Sequence, residues 1–262
     1  MTIFKNELRF SRISLLIWSL SIGLLIASCV FMYPSMKSEM DSVNKIFSSM
    51  GNFSSAFGMD KLNFGTLIGF YAVEGGSILG VGGAFFAAVT AIGALMKEER
   101  NRTAEFLMTH PVSRARVITE KLLVVLAQIT ILNLIALLLT VGSILLIGES
   151  MVWKDFLLIN LSFYLMQIEI AGICFGFSAF ITKAGPGIGI GLAAVMYILN
   201  ILSNISSDAK ALKYITAFGY TDGSTIINNG GLEVRYLAVG MVFCVIGIVT
   251  AYVKYTKKDL RA

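Results

Sequence analysis

The sequence predicts an all-α polytopic membrane protein with six transmembrane helices, an N-terminal interfacial helix and a short cytoplasmic helix in mid-chain. Three observations carry that prediction. Apolar residues form 56% of the 262-residue chain and charged residues 14%, with a mean hydropathy of +0.79, well above a soluble domain. The apolar residues fall in runs of about 20 or more, the length a helix needs to cross ~30 Å of hydrocarbon. The charges gather between those runs, most densely in KEERNRTAEFLMTHPVSRARVITEK, residues 97–121.

Residues 1–12 mix Ile3, Phe4, Leu8 and Phe10 with Lys5, Arg9 and Arg12. That pattern suits a small helix lying in the interface before the chain turns into the bilayer. The first span is Ile13–Tyr33. Within it, Ile26-Ala27-Ser28-Cys29 loosely matches a lipoprotein cleavage box, but the apolar run continues through Val30, Phe31 and Met32, so an uncleaved helix is expected. In the outer segment 34–63, Met36, Met40, Val43, Phe47 and Met50 recur at helical spacing and predict an amphipathic surface helix, followed by a Gly/Ser-rich connection.

The second span, Phe64–Met96, would measure about 50 Å as one helix and must tilt, protrude or break. A break is expected at Glu74-Gly75-Gly76, where two glycines lower the cost of leaving helical geometry. The remaining spans are Ile118–Ile147, Phe156–Ile181, Ile188–Ser203 and Arg235–Tyr255. The second outer segment, 206–233, is Gly/Asn-rich near its end and is expected to be irregular. No internal repeat or low-complexity tract divides the chain, so residues 1–262 form one transmembrane domain.

Lys and Arg set the orientation. With both termini in the cytoplasm, fourteen basic residues lie inside and seven outside. This places segment 97–120 in the cytoplasm. The net charge of +5 is spread over helix ends and loops without a continuous stripe, which excludes a nucleic-acid binder. Cys29, Cys174 and Cys244 all fall in apolar spans and imply no disulfide framework. His110 is the only histidine, and no G-x-x-x-x-G-K-[ST] stretch occurs. The chain therefore has no histidine metal cluster and no phosphate loop of its own, and no enzyme chemistry is legible.

The charged segment has its own grammar. Thr103 is placed to cap a short helix, with Glu105 near its positive end. Phe106, Leu107 and Met108 then expose apolar surface on a helix too short to be stable alone, which points to a partner. Pro111 stops that helix. Ser113 is a good cap for the third span, with Arg114, Arg116 and Lys121 expected near the headgroups.

The order Glu98-Glu99-Arg100-x-x-Thr103-x-Glu105-x-Leu107-x-x-x-Pro111-Val112-Ser113-Arg114, followed by Lys121, resembles the cytoplasmic loop of ABC-2 type transporter permeases. Phe4-Lys5-Asn6-Glu7-Leu8, Tyr33-Pro34-Ser35 and Lys257-Lys258-Asp259-Leu260 are similar to the same family. Arg102 departs from it, standing where many members carry glycine. The resemblance implies a six-helix permease subunit of a bacterial exporter in the cytoplasmic membrane. It implies a second permease subunit, two copies of a separate ABC ATPase that binds ATP and Mg, and membrane lipids as surroundings. It also implies that the short helix is the coupling helix, resting on the ATPase. Phe106, Leu107 and Met108 would then supply apolar contacts, and Glu98, Glu99, Arg102, Glu105 and Arg114 charge complementarity.

Glu74 and Glu169 lie inside apolar spans, where a carboxylate is costly and usually faces a bundle interior or a water-filled path. Gln128, Asn133, Gln167 and Asn200 are milder cases, able to bond between helices. Glu74, Glu169 and Gln167 are candidates for a substrate path, and equally for hydrogen-bonded packing groups. The few fixed charges in the membrane disfavour a strongly charged solute, and the resemblance implies an amphipathic cargo, such as a toxin or antimicrobial peptide, or a lipid-like molecule. Two other readings remain open: a gradient-driven transporter using Glu74 and Glu169 as proton sites, and a non-transporting membrane anchor for an ATPase.

Overall fold

The computed structural model describes residues 2–100, 113–181, 185 and 187–257. Among them the regular structure is helical, with no strand. The α-helices are α1 (Thr2–Met36), α2 (Met40–Ser49), α3 (Asn52–Ala56), α4 (Leu67–Arg100), α5 (Arg114–Ile147), α6 (Trp153–Ser178), α7 (Gly187–Ile205), α8 (Gly223–Asn229) and α9 (Val234–Lys257). Six of these, α1, α4, α5, α6, α7 and α9, are long and apolar enough to cross a membrane. The six expected spans are all present, with ends within about one helical turn of those read from hydropathy, apart from the start of α1.

Two expected interruptions are absent. The N-terminal segment is helical, but it runs without a turn into the first span as the 35-residue α1. No Gly or Pro separates Arg12 from Ile13, and the amino end is held against other helices. Glu74-Gly75-Gly76 does not break α4 either, which is continuous over 34 residues. Its glycines serve packing instead. A Cβ at Gly76 would stand 3.2 Å from the Phe163 ring of α6, and one at Gly80 2.8 Å from it. At about 51 Å, the unbroken α4 exceeds the ~30 Å hydrocarbon thickness, so its length is taken up by tilt or protrusion instead of a break.

The bundle is built around α4, which touches α1, α5, α6 and α7. Its inner surface is small: Ala84, Ala87, Ala88 and Ala91 are all buried. A Cβ at Gly82 would meet Ile22 of α1 at 3.1 Å, and one at Gly83 would collide with the Gln167 amide of α6. On α7, a Cβ at Gly189 would come within 2.7 Å of the Ala88 carbonyl oxygen. In lipid, where burial of grease against grease gains little, such backbone approach is a main source of helix association.

Small residues also bring α6 against α9. A Cβ at Gly176 would lie 2.7 Å from the Gly247 carbonyl oxygen and 2.8 Å from its Cα. Elsewhere, Gly65 and Gly69 meet atoms of the adjoining Asn63–Thr66 turn, while Gly185 faces open space.

Segments 34–63 and 206–233 are ordered by contacts to the bundle. The amphipathic helix appears as α2, with Val43 and Phe47 packed against the core and Phe47 5.0 Å from Phe64. Asn44 ties it to the start of α4, donating to Asn63 at 3.1 Å and accepting from the Phe64 amide at 3.0 Å. Tyr33 donates to the Gly65 carbonyl at 2.8 Å.

Segment 206–233, expected to be irregular, contains a 3-10 helix (Ser207–Tyr214) and α8. It also enters the bundle: Ala217, Phe218, Tyr220 and Ile226 are buried, and Thr216 donates to the Met196 carbonyl of α7 at 2.7 Å. Composition missed this because Asn228, Asn229, Gly230 and Gly231, which read as irregular, follow those core anchors. Gly230, for example, ends α8 at φ 61°, a backbone region glycine adopts without steric cost.

The α6–α9 seam yields a direct test. Gly176→Val places atoms inside the Gly247 backbone, which has no room to move, so thermal unfolding in detergent should show a loss of about 1–3 kcal/mol or more. Gly142→Ala, where a Cβ meets nothing within 4 Å, should leave the midpoint unchanged or slightly raised.

Candidate functional site: helix ends beside segment 97–120 and buried polar groups

Segment 97–120 connects the end of α4 to the start of α5. Glu98 and Glu99 continue the last turn of α4. Arg102, Thr103, Glu105, Phe106, Leu107, Met108 and Pro111 lie outside the described residues. The expected cap is present: Ser113 Oγ accepts from the Arg116 amide at 3.3 Å and opens α5. Arg114, the first residue of α5, donates from Nη1 to the Thr256 carbonyl of α9 at 3.1 Å. One side of the segment is therefore fixed to the last helix.

The other side is fixed to the first. Glu7 of α1 accepts from Lys97 of α4 at 3.0 Å and from Lys121 of α5 at 3.4 Å. Lys121 also donates to the Ala94 carbonyl at 2.7 Å. Lys121 was expected among the headgroups, but its side chain is only 2% exposed. The reason is geometric: one turn further in than Arg116, it points between α1 and α4 and finds a carboxylate and a carbonyl there. Glu120 accepts from the Phe4 amide at 3.0 Å and from Arg116 at 2.9 Å, which holds the amino end of α1 on α5. Just inside these pairs, α1, α4 and α5 border a cleft of about 260 Å³, with Ser11, Ser14, Thr90 and Gln128 among its lining.

The candidate path residues separate. Glu74 is half-buried on α4. Gln167 and Glu169 are both buried on α6 but address different neighbours. Gln167 accepts from Asn133 of α5 at 2.6 Å, while its own Nε2, wedged over Gly83, has no partner among the described residues. Glu169 accepts from the Tyr220 hydroxyl at 3.0 Å and occupies the space left by the missing side chain of Gly240 on α9. Burial, reinforced by that carboxylate, pushes the Tyr220 hydroxyl up, so it keeps its proton and remains the donor.

Two further pairs cross between helices. Tyr71 donates to Asn160 at 3.0 Å, and the Thr130 and Tyr164 hydroxyls meet at 3.0 Å. Sequence reading did not single out Glu7, Lys97 or Tyr220 as site residues. For Glu7 the available signal was a carboxylate in the N-terminal basic segment at the depth of Lys97 and Lys121. Tyr220 gave none.

A long-helix bundle with six membrane-length helices and a charged connection after the second restricts the possible families. A family model described as ABC-2 family transporter protein matches residues 1–260. The chain belongs to the ABC-2 transporter family. No curated protein matches it. As an ABC-2 permease it is a multi-pass transport protein of the kind that works with an ABC ATPase subunit.

In this permease, Tyr220→Phe removes the donor to buried Glu169 while preserving shape. Unfolding in detergent should show a loss of about 1–3 kcal/mol, the cost of an unmet buried acceptor. Glu169→Gln keeps an acceptor toward Tyr220 and should cost less than Tyr220→Phe.

Proposed function

We propose that this chain is the permease subunit of an ATP-driven exporter in the bacterial cytoplasmic membrane, with both termini in the cytoplasm. Two separate ATPase subunits carry the ATP and Mg chemistry, and a second permease subunit completes the path. This chain binds no cofactor itself. The adjacent reading frame is expected to encode a protein of roughly 230–300 residues with a phosphate loop, a length for one or two domains.

The observation that carries this reading is the family match over residues 1–260. The docking surface is segment 97–120: Phe106, Leu107 and Met108 enter a groove of the ATPase, with Glu98, Glu99, Arg102, Glu105 and Arg114 around them and Thr103 and Pro111 bounding the short helix. The anchoring of the flanking helices supports it, since α4 and α5 are tied to α1 by ions and α5 to α9 by Arg114. A connection held on both sides is suited to passing a push into the bundle.

The cargo is hydrophobic or amphipathic, in the class of a toxin or antimicrobial peptide. In support, the interior polar groups largely satisfy one another across helices: Asn133 with Gln167, Tyr71 with Asn160, and Tyr220 with Glu169. The engagement of Glu169 by Tyr220 favours a packing role for it over a proton site of a gradient-driven carrier.

Charge reversal at Glu105 together with Phe106→Ala should sharply reduce both co-purification of the ATPase and transport into inverted vesicles, leaving thermal stability near wild type. Unchanged association and flux would refute the docking role. Flux that needs a pH gradient but neither ATP nor a partner would refute the exporter reading itself.

A further inference from the structure

Glu7 sits two turns into α1, and the two lysines it binds stand on either side of segment 97–120. Lys97 is on the last turn of α4, and Lys121 is on the second turn of α5. One carboxylate thus uses one oxygen on each helix that brackets the segment. The surroundings make this a built junction. Lys121 is nearly inaccessible and aligned by the Ala94 carbonyl. The Phe10 ring lies 5.6 Å from the Lys97 ammonium. Gln128 donates to Ser11 at 2.7 Å one turn deeper, and Glu120 holds the Phe4 amide one turn shallower. A surface ion pair contributes little, but a bridge whose cation is this buried is costly to break.

We propose that Glu7 is a positioning residue for energy coupling. Through Lys97 and Lys121 it registers α1 to both ends of the cytoplasmic segment, so that displacement of the segment is delivered to α1 as well as to α4 and α5. This rests on the exporter reading above for the source of the displacement, but the junction itself does not. Glu7 lies outside the proposed docking segment and is engaged by the two lysines. Its replacement is therefore expected to separate hydrolysis from transport while leaving docking intact.

The test uses the full chain in lipid nanodiscs. Spin labels at exposed Arg9 of α1 and Ala115 of α5, with Cys29, Cys174 and Cys244 replaced by alanine, report the distance between the two helix ends. Glu7→Gln, which keeps the size and one acceptor, should broaden and lengthen that distance distribution, and Glu7→Asp should restore part of it. In the complex with its ATPase, Glu7→Gln should retain co-purification and basal hydrolysis, lose most transport per ATP hydrolysed, and recover part of it as Glu7→Asp. An unchanged distance distribution in Glu7→Gln overturns the junction, and unchanged transport per ATP overturns the coupling role. If the wild-type chain captures no ATPase, the exporter reading fails by itself, while the distance measurement still decides whether Glu7 holds the helix ends.

Discussion

Four membrane-length helices lean on α4, which presents glycine and alanine at its seams with α1, α6 and α7. Phe163 lies over Gly76 and Gly80, Gln167 over Gly83 and Ile22 over Gly82, while Gly189 meets the Ala88 carbonyl. Within a bilayer the helices cannot be driven together by expelling water, because lipid tails solvate leucine as well as a neighbouring helix does. Close backbone approach and interhelical hydrogen bonds must supply the association. The small surface of α4 provides the first and positions the partners for the second.

The hydrogen bonds follow from that geometry. Gln167 reaches Asn133 because Gly83 leaves it room, and Tyr71 reaches Asn160 on the same seam between α4 and α6. On the far side of α6, Gly240 leaves the volume that Glu169 fills, and segment 206–233 sends Tyr220 in to meet it. A polar side chain that would be expensive in hydrocarbon thus becomes a fixed point joining segment 206–233 to a membrane helix.

At the helix ends that border segment 97–120, ion pairs take over. α1, α4 and α5 each measure about 50 Å, and those ends carry Glu7, Lys97, Lys121, Glu120 and Arg116. The length of α4, which by sequence demanded a tilt, a protrusion or a break, places Lys97 beside Glu7. The helix ends that border the charged segment are therefore part of one network with the amino end of the chain.

The sequence by itself determined the class, the six spans, the amphipathic α2 and the Ser113 cap, because hydropathy and capping are local properties of a few consecutive residues. It also contained the family, through the order of residues around the charged segment. Only the tertiary structure decided the rest. Gly75 and Gly76 read as a hinge by propensity, yet Phe163 of α6 makes the glycine at 76 a packing surface, and an unbroken α4 is the result. Lys121 reads as a headgroup residue by position, yet Glu7, remote in sequence, makes its burial tolerable. Glu169 and Gln167, two residues apart, serve different seams because a helix turns about 200° between them. Such partnerships join residues from distant parts of the chain, and no local pattern encodes which two will meet.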